Sequence, residues 1–221
     1  MPTFTLIVPH IPKTAGTSLR LALVEAFGSG LMADYGDRPL QHGPWLRRLR
    51  AGLAAVHSLQ RRGPDCIYGH FLPLKYVGLR HARFALWVRD PVQRVVSRYH
   101  HYLRASAAGD VMHRRWGLLP GLSLGEFIEL PHYRNTYSEY LWGFPLRRFE
   151  FVGAVERFSE DLPRFAERFG IALPPRLASE NRNPDRVEPA YDLDPRTQAR
   201  IRELNAADLR LLDRLQRLPR R

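Results

Sequence analysis

The chain has a single cysteine, Cys66, among its 221 residues. An intramolecular disulfide is therefore excluded, and because Cys66 lies in an apolar stretch we expect a buried, unreactive thiol and a reducing compartment. The N-terminal stretch Met1–Val8 lacks a basic flank and is far shorter than the roughly 20 residues that a membrane-spanning helix needs. We therefore expect a cytoplasmic protein without a membrane anchor.

Sequence repeats and low-complexity linkers are also absent, so no feature of the chain marks a domain boundary. Hydrophobic residues make up 44% of the sequence and charged residues 25%, which is the composition of an ordinary globular protein and excludes a disordered or fibrous one. We expect one domain over residues 1–221, a length that is sufficient to bury one substantial core.

Acidic residues are few compared with basic ones: 22 Asp and Glu face 34 Lys and Arg, for a net charge of +12. Such a charge concentrates anions near the surface, so an anionic partner is expected. Nucleic acid, acidic membrane, nucleotide and acidic polysaccharide all satisfy this condition. The predicted basic helix from Pro44 to Arg61 and its neighbourhood carry five of these cations, Arg47, Arg48, Arg50, Arg61 and Arg62.

The apolar periodicity predicts strands that alternate with helices, which is typical of an α/β fold with a parallel sheet and helices on both faces. Predicted strands cover Thr3–Pro9, Asp65–Gly69, Arg83–Arg89 and Phe149–Val155. Predicted helices cover Thr17–Phe27, Pro44–Arg61, Pro91–Arg104, Leu124–Leu130 with Ser123 as N-cap, Tyr133–Trp142, Ser159–Phe169, and a long C-terminal region from Asp194 to about Leu218.

The turn between the first strand and the first helix is the first candidate site. It reads His-Ile-Pro-Lys-Thr-Ala-Gly-Thr-Ser from His10 to Ser18. Backbone amides at a helix N-terminus bind phosphate or sulfate, and Lys13 adds a mobile positive charge. The turn differs from the Gly-x-x-x-x-Gly-Lys pattern of ATPases, because its lysine precedes its only glycine. A simple tight turn with a solvated lysine is the alternative.

Two further segments begin at the ends of predicted strands. Arg89 follows one strand and Ser97 lies two turns along the next helix, where a guanidinium and a hydroxyl could clamp a phosphate. The other segment, Ile67-Tyr68-Gly69-His70-Phe71, places a histidine at a strand end. Taken singly, Arg89 could be a surface ion-pair partner, and His70 could be structural.

Together these motifs resemble the carbohydrate sulfotransferases related to heparan and uronosyl 2-O-sulfotransferases. The resemblance implies a nucleotide-kinase-like α/β fold and the donor 3′-phosphoadenosine 5′-phosphosulfate (PAPS). It implies that Lys13 steadies the bridging oxygen of the donor and that Arg89 and Ser97 bind its 3′-phosphate. The residues implied to hold the 5′-phosphate are Thr14, Ala15, Gly16, Thr17 and Ser18.

The resemblance also implies that His70 is the general base. Sulfuryl transfer to an alcohol requires a group of near-neutral pKa to remove the acceptor proton, and histidine is the usual choice. Weaker matches place Ser138 near the donor and Arg182 in a polar loop that could reach the 3′-phosphate. The chain departs from the family at Gln93, where glutamate is common, and at Glu139, where a basic residue is usual.

We therefore expect in-line transfer of a sulfuryl group from PAPS to an acceptor hydroxyl, without a metal ion. The resemblance favours a carbohydrate acceptor, and an acidic one would suit the charge; nucleic acid is not expected. The sequence does not identify the acceptor, and acceptor specificity would lie in variable segments 31–63 and 105–121. Two alternatives remain: a nucleotide or small-molecule kinase, which would need ATP and Mg²⁺, and a non-enzymatic basic protein that binds acidic glycan or nucleic acid.

Overall fold

The computed structural model describes residues 3–37, 42–107, 120–172 and 190–218. Its sheet has five strands: β1 Thr5–Pro9, β2 Leu31–Asp34, β3 Cys66–Gly69, β4 Ala82–Val88 and β5 Phe149–Ala154. All neighbouring pairs are parallel, in the order β2-β3-β1-β4-β5. The predicted parallel α/β fold is confirmed.

The helices of the described residues are α1 Gly16–Phe27, α2 Pro44–His57, α3 Pro91–Ala107, α4 Leu124–Ile128, α5 Thr136–Tyr140, α6 Phe158–Phe169, α7 Pro195–Leu204 and α8 Ala206–Arg217. Short 3₁₀ turns cover Gly28–Gly30, Pro73–Tyr76, Pro131–Tyr133, Leu146–Arg148 and Val155–Arg157. Within these described ranges, no helix is both long and apolar enough to cross a membrane.

Alternating side chains of the central strands fill two cores, one on each face of the sheet. On one face Leu6, Tyr68 and Trp87 pack with α1 and α6. On the other, Ile7 and Leu86 pack with α5, α8 and the chain that follows α5. Strands that are covered on both sides in this way read as continuous apolar runs, and this is why the central strands were predictable. Cys66 is fully buried in the first core, and burial raises the pKa of its thiol.

The edge strand β2 was missed by the sequence analysis. It has only four residues, and Met32 and Ala33 are exposed, so it lacks the apolar run that identifies the central strands. Its last residue approaches β3 closely, since a Cβ added at Gly69 would lie 1.8 Å from the carbonyl oxygen of Asp34. Glycine is therefore required immediately before His70.

Several predicted bounds also differ from the structure. The helix predicted for Tyr133–Trp142 is limited to α5, because Asn135 adopts a left-handed conformation (φ 48°) immediately before it. The helix predicted to end at Arg61 ends at His57. The C-terminal helical region is broken at Asn205 into α7 and α8. By contrast, Ser123 and Glu126 form the predicted capping box of α4.

The N-termini of α5 and α8 cap each other. The Asp208 carboxylate, fully buried on α8, accepts hydrogen bonds from the amides of Tyr137 and Ser138 at 3.0 and 2.8 Å. In return, Asn135 Oδ1 accepts from the amides of Ala207 and Asp208 at 3.1 and 3.2 Å. Unpaired amides in the first turns of both helices are satisfied by this exchange.

Replacing Asp208 with alanine should lower the free energy of unfolding by about 3 kcal/mol, because two inward-facing amides and a hydroxyl lose their acceptor. Urea unfolding followed by circular dichroism measures the change. The matched control is Asp213→Ala on the same helix, whose carboxylate is half exposed and pairs with the exposed Arg217. A D208A midpoint equal to that of D213A would contradict the structural role given to Asp208.

Candidate active site

Three neighbouring strands bring the predicted motifs to one edge of the sheet. The order β3-β1-β4 places the loop after β1, the Gly69-His70 segment after β3 and Arg89 after β4 side by side. In parallel α/β sheets the carboxyl edge is where ligands bind. The candidate residues, which lie as many as 87 positions apart (10 to 97), thus face a common site through strand order alone.

The N-terminus of α1 has the geometry of an anion site. Within the described residues no side chain caps this end, and its first turn carries no acidic residue. The amides of Gly16, Thr17 and Ser18 are therefore available where the helix dipole favours negative charge. The loop reaches this geometry through left-handed conformations at Lys13 (φ 73°) and Ala15 (φ 58°).

Thr14 supports the loop from inside. Its side chain is buried, and its hydroxyl donates to the carbonyl of Ile11 at 2.8 Å. Of the residues that the resemblance assigned to the 5′-phosphate, Thr14 thus already has an internal partner for its side chain. Thr17 is exposed, whereas Ala15, Gly16 and Ser18 are partly buried at the helix start.

Lys13 lies half-buried in a field of like charge. Burial is the main cause that lowers the pKa of its ammonium to about 8, and Arg98, Arg104 and Arg89 lower it further. A ligand that carries several negative charges stabilises the charged form of a cation held near other cations in this way. The site is thus suited electrostatically to a polyanionic ligand.

His10 explains the glycine of the loop. A Cβ added at Gly16 would lie 2.0 Å from His10 Cε1 and Nε2, so only glycine leaves room for this ring. The imidazole stacks between Tyr68 and His70, with centroid distances of 5.3 and 4.5 Å. Burial, assisted by His70 and Lys13, lowers the pKa of His10 to about 3, so the ring is neutral at physiological pH.

His70 is held in one tautomer by the main chain of the same loop. Its Nδ1 lies 2.6 Å from the carbonyl oxygen of His10. A carbonyl only accepts, so Nδ1 carries the proton and Nε2 carries the lone pair. Burial is the largest influence on the pKa of His70 and lowers it; the His10 hydrogen bond opposes this, while Arg98 and Arg47 add to the lowering. At neutral pH His70 is thus an uncharged base.

Arg89 and Ser97 flank the third loop. Arg89 is buried, and its main-chain amide and carbonyl both bond to the Tyr137 hydroxyl, at 2.8 and 2.9 Å. Its guanidinium lies over the Tyr191 ring, 5.5 Å from the centroid. Ser97 is buried on α3. The structure therefore fixes the backbone at Arg89 independently of any ligand.

Gln93 has a role that glutamate could not fill. Its amide donates to the Tyr191 carbonyl at 3.0 Å and accepts from the Tyr191 amide at 2.7 Å. Only a carboxamide provides both functions, since an ionised carboxylate has no donor. Gln93, at a position where the family that the chain resembles often has glutamate, therefore fastens the segment that begins at residue 190 to α3.

The two weaker sequence matches have different outcomes. The Ser138 hydroxyl donates to Asp208 at 2.9 Å, so its side chain is part of the α5–α8 capping and its contact with a donor stays a prediction. Arg182 lies outside the described residues, and its role also stays a prediction.

The basic helix predicted around Arg47 does not present that arginine to solvent. Arg47 is 1% exposed and forms an ion pair with Glu139, the residue that replaces the family's basic one. Its guanidinium also lies over Tyr140, 4.6 Å from the ring centroid. The acid at position 139 thus has a partner supplied by α2. Sequence reasoning missed this pair because the two residues are 92 positions apart.

Sequence reasoning also missed the parts played by His10 and Arg98. Arg98 follows Ser97 on α3, and its charge lowers the pKa of both Lys13 and His70. Helical position alone does not show which arginines of an Arg-rich helix face the sheet edge. For His10 the sequence did hold a signal: the glycine six positions later, Gly16, is the residue that leaves space for its ring.

No protein-family model matches the chain, and no curated protein matches it either. Several solved structures resemble it in fold. A sulfotransferase from Alicyclobacillus acidocaldarius aligns with a TM-score of 0.48 at 14% identity, over 97% of this chain and 96% of that one. A mouse sulfotransferase complexed with PAP aligns at 0.45 and 12% identity, over 96% and 82%. The sulfotransferase domain of the curacin biosynthetic pathway aligns at 0.45 and 10%, over 99% of both chains.

These TM-scores lie below 0.5, so the likeness carries no argument about activity. The chemistry of the candidate site has to come from its own residues. Those residues provide a helix N-terminus that no described side chain caps, a half-buried lysine, a neutral histidine of fixed tautomer, a buried arginine and a buried serine.

Replacing Gly16 with alanine should lower the free energy of unfolding by about 2 kcal/mol, because the new methyl group must displace a ring that is stacked on both faces. Thermal and urea unfolding measure this. Gly52→Ala in the middle of α2 is the control, since nothing lies within 4 Å of its added Cβ and helical alanine should stabilise by about 0.5–1 kcal/mol. Equal stability of G16A and the parent chain would refute the packing described for His10.

Proposed function

We propose that the chain is a sulfotransferase that transfers a sulfuryl group from PAPS to an acceptor hydroxyl. The observation that carries the proposal is the fixed tautomer of His70 beside the anion-binding end of α1. A neutral base and an anion site joined by one loop are what transfer from an anionic donor to an alcohol requires.

His70 acts at its Nε2 atom. As the acceptor oxygen bonds to sulfur, its proton passes to Nε2, and the bond from sulfur to the bridging phosphate oxygen breaks. Lys13 and the first-turn amides of α1 stabilise the negative charge that develops on the departing phosphate. The His10 carbonyl stabilises the imidazolium that forms, because it accepts a hydrogen bond from Nδ1–H in both states of the ring.

The donor would be held at both of its charged ends. Lys13, the amides of residues 14–18 and the α1 dipole suit the 5′-phosphosulfate, and Arg89 with Ser97 suits the 3′-phosphate one strand away. Asp90, the acid nearest this end of β4, accepts from the amides of Val92 and Gln93 at 2.9 and 3.1 Å and so caps α3. This use of Asp90 favours PAPS over a metal-bound nucleoside triphosphate, and independence from metal ions remains part of the proposal.

The acceptor would carry negative charge. The side chains whose charges act on His70 most strongly are Arg98 and Arg47, both cationic. His132 lies in the same field, since burial first and then Arg98 and Arg47 lower its pKa to about 4. An acidic carbohydrate hydroxyl suits this environment better than a neutral or cationic alcohol.

Calorimetric titration tests the donor. PAP, the desulfated product of PAPS, should bind without a metal ion and more tightly than ATP with Mg²⁺. Lys13→Ala should weaken PAP binding about tenfold or more through loss of a charge-assisted contact. Arg202→Ala, an exposed arginine on α7, is the control and should bind PAP normally. Preference for ATP would assign the site to a kinase instead.

The rate of sulfate transfer should have a bell-shaped dependence on pH. With desulfated heparin as the acceptor, kcat/KM for PAPS should fall on the acid side below pH 6.5, where His70 becomes protonated at its lowered pKa. It should fall on the basic side near pH 8, where free Lys13 loses its proton. Because the bound donor anion favours charged Lys13, the basic limb of kcat should lie at higher pH.

His70→Ala should remove the acid limb and lower turnover by about 10²–10⁴-fold, the usual contribution of a general base. His57→Ala, an exposed histidine on α2, should leave both limbs unchanged. Near-normal turnover of H70A, with its acid limb intact, would remove His70 from the mechanism.

A further inference from the structure

The outer face of α2 exposes a row of large apolar side chains. The exposed fraction is 74% for Trp45, 45% for Leu49, 55% for Leu53 and 64% for Val56, and Leu59 just beyond the helix is 59% exposed. Spacings of four, four and three residues place the first four on one side of the helix. We call these four residues the α2 stripe.

The opposite face of α2 already has its partners. Arg47 and Ala51 are buried, and Arg47 pairs with Glu139 across the interface with α5. The α2 stripe therefore adds nothing to the packing of this helix on the fold. A contiguous apolar surface of this kind on a helix marks a place where another phase or molecule binds.

In the sequence from 42 to 64, which includes the α2 stripe, every ionised residue is cationic. Residues 42–64 contain five arginines and neither Asp nor Glu. Arg50, Arg61 and Arg62 are exposed, while Arg48 is partly buried and lies over Trp142. An apolar stripe beside basic side chains, with a tryptophan at one end, has the composition of helices that lie in the plane of a membrane surface.

We propose that α2 binds an anionic membrane surface. The α2 stripe enters the boundary between headgroups and acyl chains, and Arg50, Arg61 and Arg62 contact the lipid phosphates. The proposal concerns a surface distinct from the candidate active site, and it stands whether or not the chain transfers sulfate.

Two other occupants suit this surface less well. Nucleic acid or an acidic glycan would pair with the arginines but would leave three aliphatic side chains against a polar, charged backbone. A second copy of the chain, packed through the same face, would bring two sets of arginines together in a region without a single acidic residue. An anionic lipid surface satisfies both the apolar and the charged parts.

Co-sedimentation of the full chain with lipid vesicles tests the proposal. The chain should bind vesicles of phosphatidylcholine with phosphatidylserine and not those of phosphatidylcholine alone. The double variant Leu53→Gln with Val56→Gln should weaken binding about 100-fold, because two buried aliphatic groups are lost. Arg61→Gln with Arg62→Gln should weaken it about 20-fold, from the usual contribution of a juxtamembrane arginine. Leu21→Gln, which alters a comparably exposed leucine on α1, is the control and should bind as the parent does.

Tryptophan fluorescence gives a second readout that needs only a conservative change. The emission should shift to shorter wavelength on addition of anionic vesicles, and Trp45→Phe should reduce the shift while retaining sedimentation. Absence of binding to anionic vesicles would overturn the proposal, as would binding that L53Q/V56Q leaves intact. If vesicles do not bind, a dimer that L53Q/V56Q dissociates would assign this surface to a second copy of the chain. Retention on heparin that the same variant abolishes would assign it to an acidic glycan.

Discussion

The hydrogen bond from His70 Nδ1 to the main-chain carbonyl of His10 joins two loops that are 60 residues apart in the chain. It is paired with a second contact, in which the His10 amide donates to the Gly69 carbonyl at 2.7 Å. Together they extend the β1–β3 pairing past the end of the sheet and so tie the loop after β1 to the segment that carries His70. These two hydrogen bonds fix the tautomer of His70 and hold its ring against that of His10, which in turn fills the space at Gly16.

The strand order explains why so few contacts suffice. Because β1 lies between β3 and β4, the segments that follow these two strands flank its loop, and each carries one candidate side chain, His70 or Arg89. Tyr137 fixes the third loop by bonding to both main-chain groups of Arg89, and Asp208 in turn fixes the Tyr137 amide. The C-terminal helix α8 thus helps to position the backbone at Arg89 in the candidate site.

The sequence predicted the central strands and the helix after β1 well, because buried parallel strands are continuous apolar runs and the apolar residues of α1 recur at helical spacing up to Gly28. The sequence-based prediction failed where contacts between residues distant in the chain decide the secondary structure. The edge strand β2 has exposed residues and no run, and the break at Asn135 follows from pairing with α8 rather than from local propensity. Within the candidate site, the motifs and the family resemblance pointed to Lys13, His70 and Arg89, whose roles stay predictions. The Arg47–Glu139 pair joins residues 92 positions apart and has no local signature.

The electrostatics of the site follow from the same geometry and bear on how it would work. Burial alone would make both His70 and Lys13 easier to deprotonate, and the surrounding arginines push each pKa in the same direction. For a general base this is useful, because His70 remains neutral, but for Lys13 it weakens the charge that an anionic donor needs. Binding of that donor reverses the second effect, since its negative charge favours protonated Lys13. His70 is thus uncharged before a donor binds, and binding of an anionic donor would raise the pKa of Lys13 and so keep its ammonium charged over a wider pH range.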